Sequence, residues 1–174
     1  MRNRPKYFFT LATLLFFVML ANIKVHAQSL DADKYLCWAA GNGDVQQGQW
    51  FISMGANVNH FDEGVTALMG AAYRGHKEVV EILLNKGSNV NLKNEAGTTA
   101  LMYAAMDGHS DIVRLLLGKN ARVNDRDKFG QTALMQAAIS GDIETIKVLV
   151  EAGADLNIKN AYGMTARTSA VQQG

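Results

Sequence analysis

The chain has 174 residues, a formal net charge of +1 at pH 7 and 48% hydrophobic residues, a balance that excludes a disordered polar chain and a polytopic membrane protein. A single cysteine and a single proline exclude a disulfide framework, a multi-thiolate zinc site and proline-rich linkers. Charges so nearly balanced give no sign of the basic face that phosphates need, and no nucleic-acid partner is expected.

Residues 1–27 read as a secretory signal peptide. Arg2, Arg4 and Lys6 precede an apolar run from Tyr7 to Ala21, and a more polar stretch ends in Val25-His26-Ala27. That order predicts cleavage between Ala27 and Gln28. The apolar run is short for a bilayer span, which takes about 20 residues, so no stable membrane insertion is expected after cleavage; the alternative is an uncleaved N-terminal anchor. Cys37 follows Tyr35-Leu36 rather than small residues, which disfavours a lipoprotein anchor. The leader holds four Lys and Arg and no Asp or Glu, leaving 13 against 16, so residues 28–174 carry −3. The expected location is the periplasm, or the medium if the protein is secreted. In that oxidising setting the fold must hold without a disulfide of its own.

A period of 33 fills the remainder. Gly64-Val65-Thr66-Ala67-Leu68-Met69 recurs from Gly97 to Met102 and from Gly130 to Met135, and returns incomplete as Gly163-Met164-Thr165-Ala166. The Ala-Ala pairs at 71/72, 104/105 and 137/138 keep the step, as do Gly75, Gly108 and Gly141. Ala39-Ala40, Gly43-Asp44 and Gly55-Ala56-Asn57-Val58-Asn59 form an earlier copy, one residue out of step because the connection through His60-Phe61-Asp62-Glu63 is shorter.

Each copy predicts two short helices. Thr66, Thr99 and Thr132 suit N-caps, since a hydroxyl can accept from the free N–H groups of the first turn. Leu68, Ala71 and Ala72 then share one face, and Gly75, Gly108 and Gly141 suit left-handed C-caps. The second helix presents Val80, Leu83 and Leu84, matched by Val113, Leu116 and Leu117 and by Ile146, Leu149 and Val150. It ends near Gly87, Asn120 or Gly153. Val90-Asn91, Val123-Asn124 and Leu156-Asn157 follow. One helix pair cannot bury its own apolar face; stacked copies can.

These blocks resemble the ankyrin repeat family over about residues 31–174. The resemblance rests on the period, the Gly-x-Thr-Ala-Leu-Met and Gly-Ala-x-Val-Asn blocks, and the Ala-Ala-x-x-Gly-His block. It departs from the family at Thr-Pro-Leu-His, which reads Thr-Ala-Leu-Met here; Ala at the first helical position costs little, because Pro there only pre-sets φ. The implied fold is an all-α solenoid of helix-turn-helix units joined by β-hairpin-like turns. Repeats are expected at about 31–60, 61–93, 94–126 and 127–159, closed by a partial C-terminal cap at 160–174. Gln46, Gln47 and Gln49 make one terminal unit polar, and Arg167 replaces the core Leu of the other, as solenoid ends require.

Little in the sequence carries chemistry. His76 and His109 stand where the repeat places a structural or surface histidine, and His60 has no second ligand at metal-binding spacing, so neither metal nor cofactor is expected. Cys37 occupies the position of Met69 and Met102, which favours a small packed side chain; the alternative is an interchain disulfide or a reactive thiol. Trp38 and Trp50 are expected to pack in the N-terminal cap. Gly41-Asn42-Gly43 lacks the strand and third glycine of a dinucleotide fingerprint.

Function is therefore sought on the surface. The resemblance implies a concave face, made by the turn tips and the exposed side of the first helices, that grips another protein. Its tip positions are Asp62, Glu63 and Val65; Glu95, Ala96 and Thr98; Lys128, Phe129 and Gln131. The helix positions are Tyr73 and Arg74; Met106 and Asp107; Ile139 and Ser140. Here the copies disagree, and several of these residue types suit interface anchors. The expectation is a monomeric, non-catalytic adaptor, with a secreted effector or toxin-associated protein as the alternative and an enzyme disfavoured for want of a catalytic constellation.

Overall fold

The computed structural model describes residues 31–171; the expected leader and its cleavage point lie outside the described residues. Helices come in antiparallel pairs: α1 (Ala32–Asn42) with α2 (Val45–Ser53), α3 (Ala67–Arg74) with α4 (Lys77–Asn85), α5 (Ala100–Met106) with α6 (Ser110–Gly118), and α7 (Ala133–Ser140) with α8 (Ile143–Glu151). A final helix, α9 (Ala166–Val171), packs on α7. First helices stack on first helices, and second helices form a parallel outer row. Contacts between neighbouring units make the core continuous, the geometry of a linear solenoid. No helix among the described residues is long and apolar enough to cross a membrane.

The capping expectations can be read off the backbone. Thr66, Thr99 and Thr132 are buried, and each hydroxyl accepts from the N–H three residues on, of Met69, Met102 and Met135, at 3.3 Å. The first helices bury Leu68, Leu101 and Leu134 together with the alanine pairs, whose small side chains allow the rows to approach closely. Gly75, Gly108 and Gly141 all adopt left-handed φ, between 72° and 78°.

The second helices differ from expectation at their edges. Val79 and Ile112 join Val80 and Val113 in the core, while Leu117 and Ile146 are only half-buried. Val150, expected in the core, is 41% exposed, and Val148 and Thr145 are buried instead. The physical reason is the stacking itself. Leu84 is covered by the next unit, whereas no second helix follows α8 among the described residues to cover Val150.

The turns also divide. In three of them an Asx side chain closes the loop: Asn94 Oδ1 accepts from Ala96 and Thr98, Asp127 Oδ1 from Phe129 and Gln131, and Asn160 Oδ1 from Tyr162 and Met164, all at 2.8–3.0 Å. In the first turn Phe61 stands at that position and cannot accept. There the chain pairs as strands, β1 (Phe61–Asp62) against β2 (Val65–Thr66), with Glu63 and Gly64 at φ 48° and 80° in the corner. Two positive φ values in a two-residue loop make the tight hairpin that matches strand twist. The other turns keep two backbone bonds, as where the Asn94 N–H donates to the Thr98 carbonyl at 3.1 Å and the Gly97 N–H to the Asn94 carbonyl at 2.8 Å.

The Val-Asn block ties units together. Asn59, Asn91 and Asn124 each accept, through Oδ1, a backbone N–H of the following unit, from Asn89, Arg122 and Asp155 at 2.7–2.9 Å. A repeated asparagine is needed because each bond satisfies a loop N–H that no secondary structure serves.

Candidate protein-binding face

Turn tips and first helices build one surface. Tip contacts are partly structural: the Lys128 N–H donates to the Ala96 carbonyl at 2.9 Å, and the Ala161 N–H to the Phe129 carbonyl at 2.8 Å. These bonds hold successive tips in line. Their side chains point elsewhere, leaving Glu63, Glu95, Ala96, Lys128 and Phe129 exposed, Phe129 at 54%. Asp62, Val65, Thr98 and Gln131 are half-buried, and Gln131 Oε1 is inaccessible and without a partner among the described residues.

On the first helices, Tyr73, Arg74, Met106, Asp107 and Ser140 are exposed and Ile139 is half-buried. Tyr73, Met106 and Ile139 occupy the same position of α3, α5 and α7. Their alignment follows from the period and the stacking of these helices, and yields a row of apolar side chains across three units. Tyr103, absent from the expected positions, joins the row: its ring meets Tyr73 edge-on with centroids 5.7 Å apart. Its hydroxyl accepts from Asn94 Nδ2 at 3.1 Å. The signal for it was present, since the place between Met and Ala-Ala reads Trp38, Gly70, Tyr103 and Gln136, as variable as the positions chosen.

The tryptophan expectation is corrected. Trp38 is 55% exposed and Trp50 49%, so neither is a packed cap residue. Bulk near the end of the stack is supplied by Phe51, which is buried, meets Trp50 edge-on and stacks with Tyr35 at 5.7 Å.

The histidines work between units. His76 Nε2 lies 3.1 Å from the Gly41 carbonyl and His109 Nε2 3.0 Å from the Tyr73 carbonyl. A carbonyl only accepts, so the facing nitrogen donates. Neither side chain caps its own helix. Where Asp44 and Asp142 replace histidine, the carboxylate caps the helix instead, accepting from Gln47 and Thr145. His60 lies 3.6 Å from Asp33. No group of three or more His, Cys, Asp or Glu side chains among the described residues is placed to hold a metal ion.

Cys37 is half-buried and donates weakly to the carbonyls of His60 and Val65 at 3.8 and 3.9 Å. Burial, helped by the nearby Asp62 carboxylate, pushes its thiol up to about 11. A thiol held neutral is a poor nucleophile, which disfavours the reactive reading.

Stacked helix pairs with variable side chains on a regular frame define a helical repeat solenoid, a class that serves as a protein-protein interaction module. A family model described as ankyrin repeats in three copies matches residues 10–94, 36–127 and 101–174. The chain belongs to the ankyrin repeat family. Among curated proteins it is similar to the E3 ubiquitin-protein ligase MIB2 of Gallus gallus, 35% identical over 75 residues, which is 41% of this chain and 8% of that protein. It is also similar to the ankyrin repeat and SAM domain-containing protein 6 of Rattus norvegicus, 42% identical over 60 residues, 33% of this chain and 7% of that protein. The chain therefore spans under a tenth of the length of either relative.

Proposed function

We propose that this is an exported, monomeric, non-catalytic adaptor that holds a partner protein on its concave face, in the periplasm of a Gram-negative bacterium. The observation that carries the reading is the row formed by Tyr73, Met106 and Ile139, with Tyr73 39% and Met106 37% exposed on consecutive first helices. Half-exposed aromatic and thioether side chains in line provide apolar area for anchors. Arg74 and Asp107 beside them, and Lys128 and Glu95 at the tips, supply a polar rim. The signal-like leader supports export.

The test replaces Tyr73, Met106 and Ile139 together by Ser and compares capture of partners from an envelope extract. Loss of a captured protein by a variant that still melts cooperatively above the assay temperature is the expected result. Equal capture by both proteins would remove the concave-face reading. Release of the protein by osmotic shock is expected for a periplasmic resident; recovery from the culture medium would favour the secreted effector.

A further inference from the structure

At the N-terminal end of the stack a cleft of about 560 Å³ lies between α1, α2 and the first hairpin. Its volume is that of a ligand site, roughly 300–1,000 Å³. Aromatic rings of Tyr35, Trp38 and Phe51 line it, and the carboxylates of Asp62 and Glu63 stand at the hairpin tip beside them. Position by position, Tyr35 replaces Ala67, Ala100 and Ala133, each of which is buried. The first unit packs against no earlier one among the described residues, and a terminal unit meets water most cheaply with polar side chains at such places. Instead Tyr35 is 45% and Trp38 55% exposed.

Charge identifies the occupant. Glu63 and Asp62 have no ion-pair partner among the described residues, and neither has Lys34, which also lines the cleft. The three side chains leave one negative charge in excess. Tip charges run in the same sense along the stack, acidic at Asp62, Glu63 and Glu95 and basic at Lys128. A planar cation that stacks on indole and phenol rings while its N–H groups meet a carboxylate fits this lining, and a guanidinium does both. We propose that the cleft receives an arginine side chain of the partner protein, as a basic anchor at the N-terminal end of the stack. The proposal rests on the concave-face reading but is tested at residues that the Tyr73, Met106 and Ile139 substitution test leaves unchanged.

The probes are acetyl-Gly-Arg-Gly-amide, its uncharged citrulline analogue, and choline. Trp50→Phe leaves Trp38 as the sole tryptophan, so its fluorescence reports the cleft. Saturable quenching by the arginine peptide is expected, at least fivefold weaker for citrulline and choline. Asp62→Asn with Glu63→Gln should weaken the arginine peptide at least fivefold with an unchanged melting curve, and Lys34→Ala should tighten it at least twofold. Equal response to citrulline overturns the proposal, as does tighter binding of choline, which would mark a small-ammonium site. A Trp38 signal blind to all three overturns it too, as when the chain's own N-terminal residues fill the cleft. None of these failures touches the substitution test at Tyr73, Met106 and Ile139.

Discussion

His109 and Gly75 are locked together across the boundary between two repeats. The ring of His109 lies so close to Gly75 that a Cβ there would sit 2.6 Å from its Cε1, while its Nε2 donates to the carbonyl of Tyr73 at 3.0 Å. Gly75 also adopts φ 78°. Two demands therefore fall on one glycine, a left-handed backbone and room for the neighbour's imidazole.

His109→Ala removes one inter-repeat hydrogen bond and should lower stability by about 0.5–1.5 kcal/mol. Gly75→Ala should cost about 1–2 kcal/mol from its backbone conformation alone, with the ring contact added. In the double variant the contact term vanishes. Urea unfolding of both single variants and the double should show a sum of single losses larger than the double loss.

Asn124→Ala leaves the Asp155 N–H without its acceptor at 2.8 Å. The expected loss is about 1 kcal/mol, with faster amide exchange at Asp155 as its local sign. Asn157 accepts no N–H from a following unit among the described residues, so Asn157→Ala should change the unfolding midpoint much less.

Leu116 is wholly buried and Val150 is 41% exposed, although both come from corresponding apolar stretches of the second helix. Leu116→Ala should cost about 2–5 kcal/mol. Val150→Ala should cost about 1 kcal/mol or less, as surface substitutions do. Chemical denaturation of the two variants side by side checks the contrast.

Cys37 makes alkaline stability pH-dependent. Its thiol titrates at about 11 in the folded protein against an ordinary value of 9.0, because burial and then Asp62 oppose the thiolate. The folded state thus favours the protonated thiol. Its contribution is complete below pH 9 and is lost as pH rises from 9 through 11. Urea midpoints at pH 8 and pH 10.5 should fall further for the natural protein than for Cys37→Ala. Ellman's reagent at pH 8 should label the folded chain much more slowly than the unfolded one.

The solenoid was legible because its determinants recur. A threonine cap, an alanine pair and a left-handed glycine act through bonds made within a few residues, so their spacing alone specifies a helix pair, and 33-residue repetition specifies that the pairs stack. Candidate surface positions were legible only in part, as places where a regular frame tolerates variation; Asp62, Val65, Thr98, Gln131 and Ile139 are half-buried. What lies across the boundary between units was not legible. Whether Val150 is covered depends on the element that follows it in space, and whether His109 caps its own helix or reaches Tyr73 depends on the neighbouring unit. The meeting of Trp38 and Tyr35 with Asp62 and Glu63 comes from a hairpin that folds back from more than twenty residues away. Sequence period determined the architecture through local hydrogen bonding and apolar spacing; only the tertiary structure decided which aromatic rings stay in water and which carboxylates stand beside them.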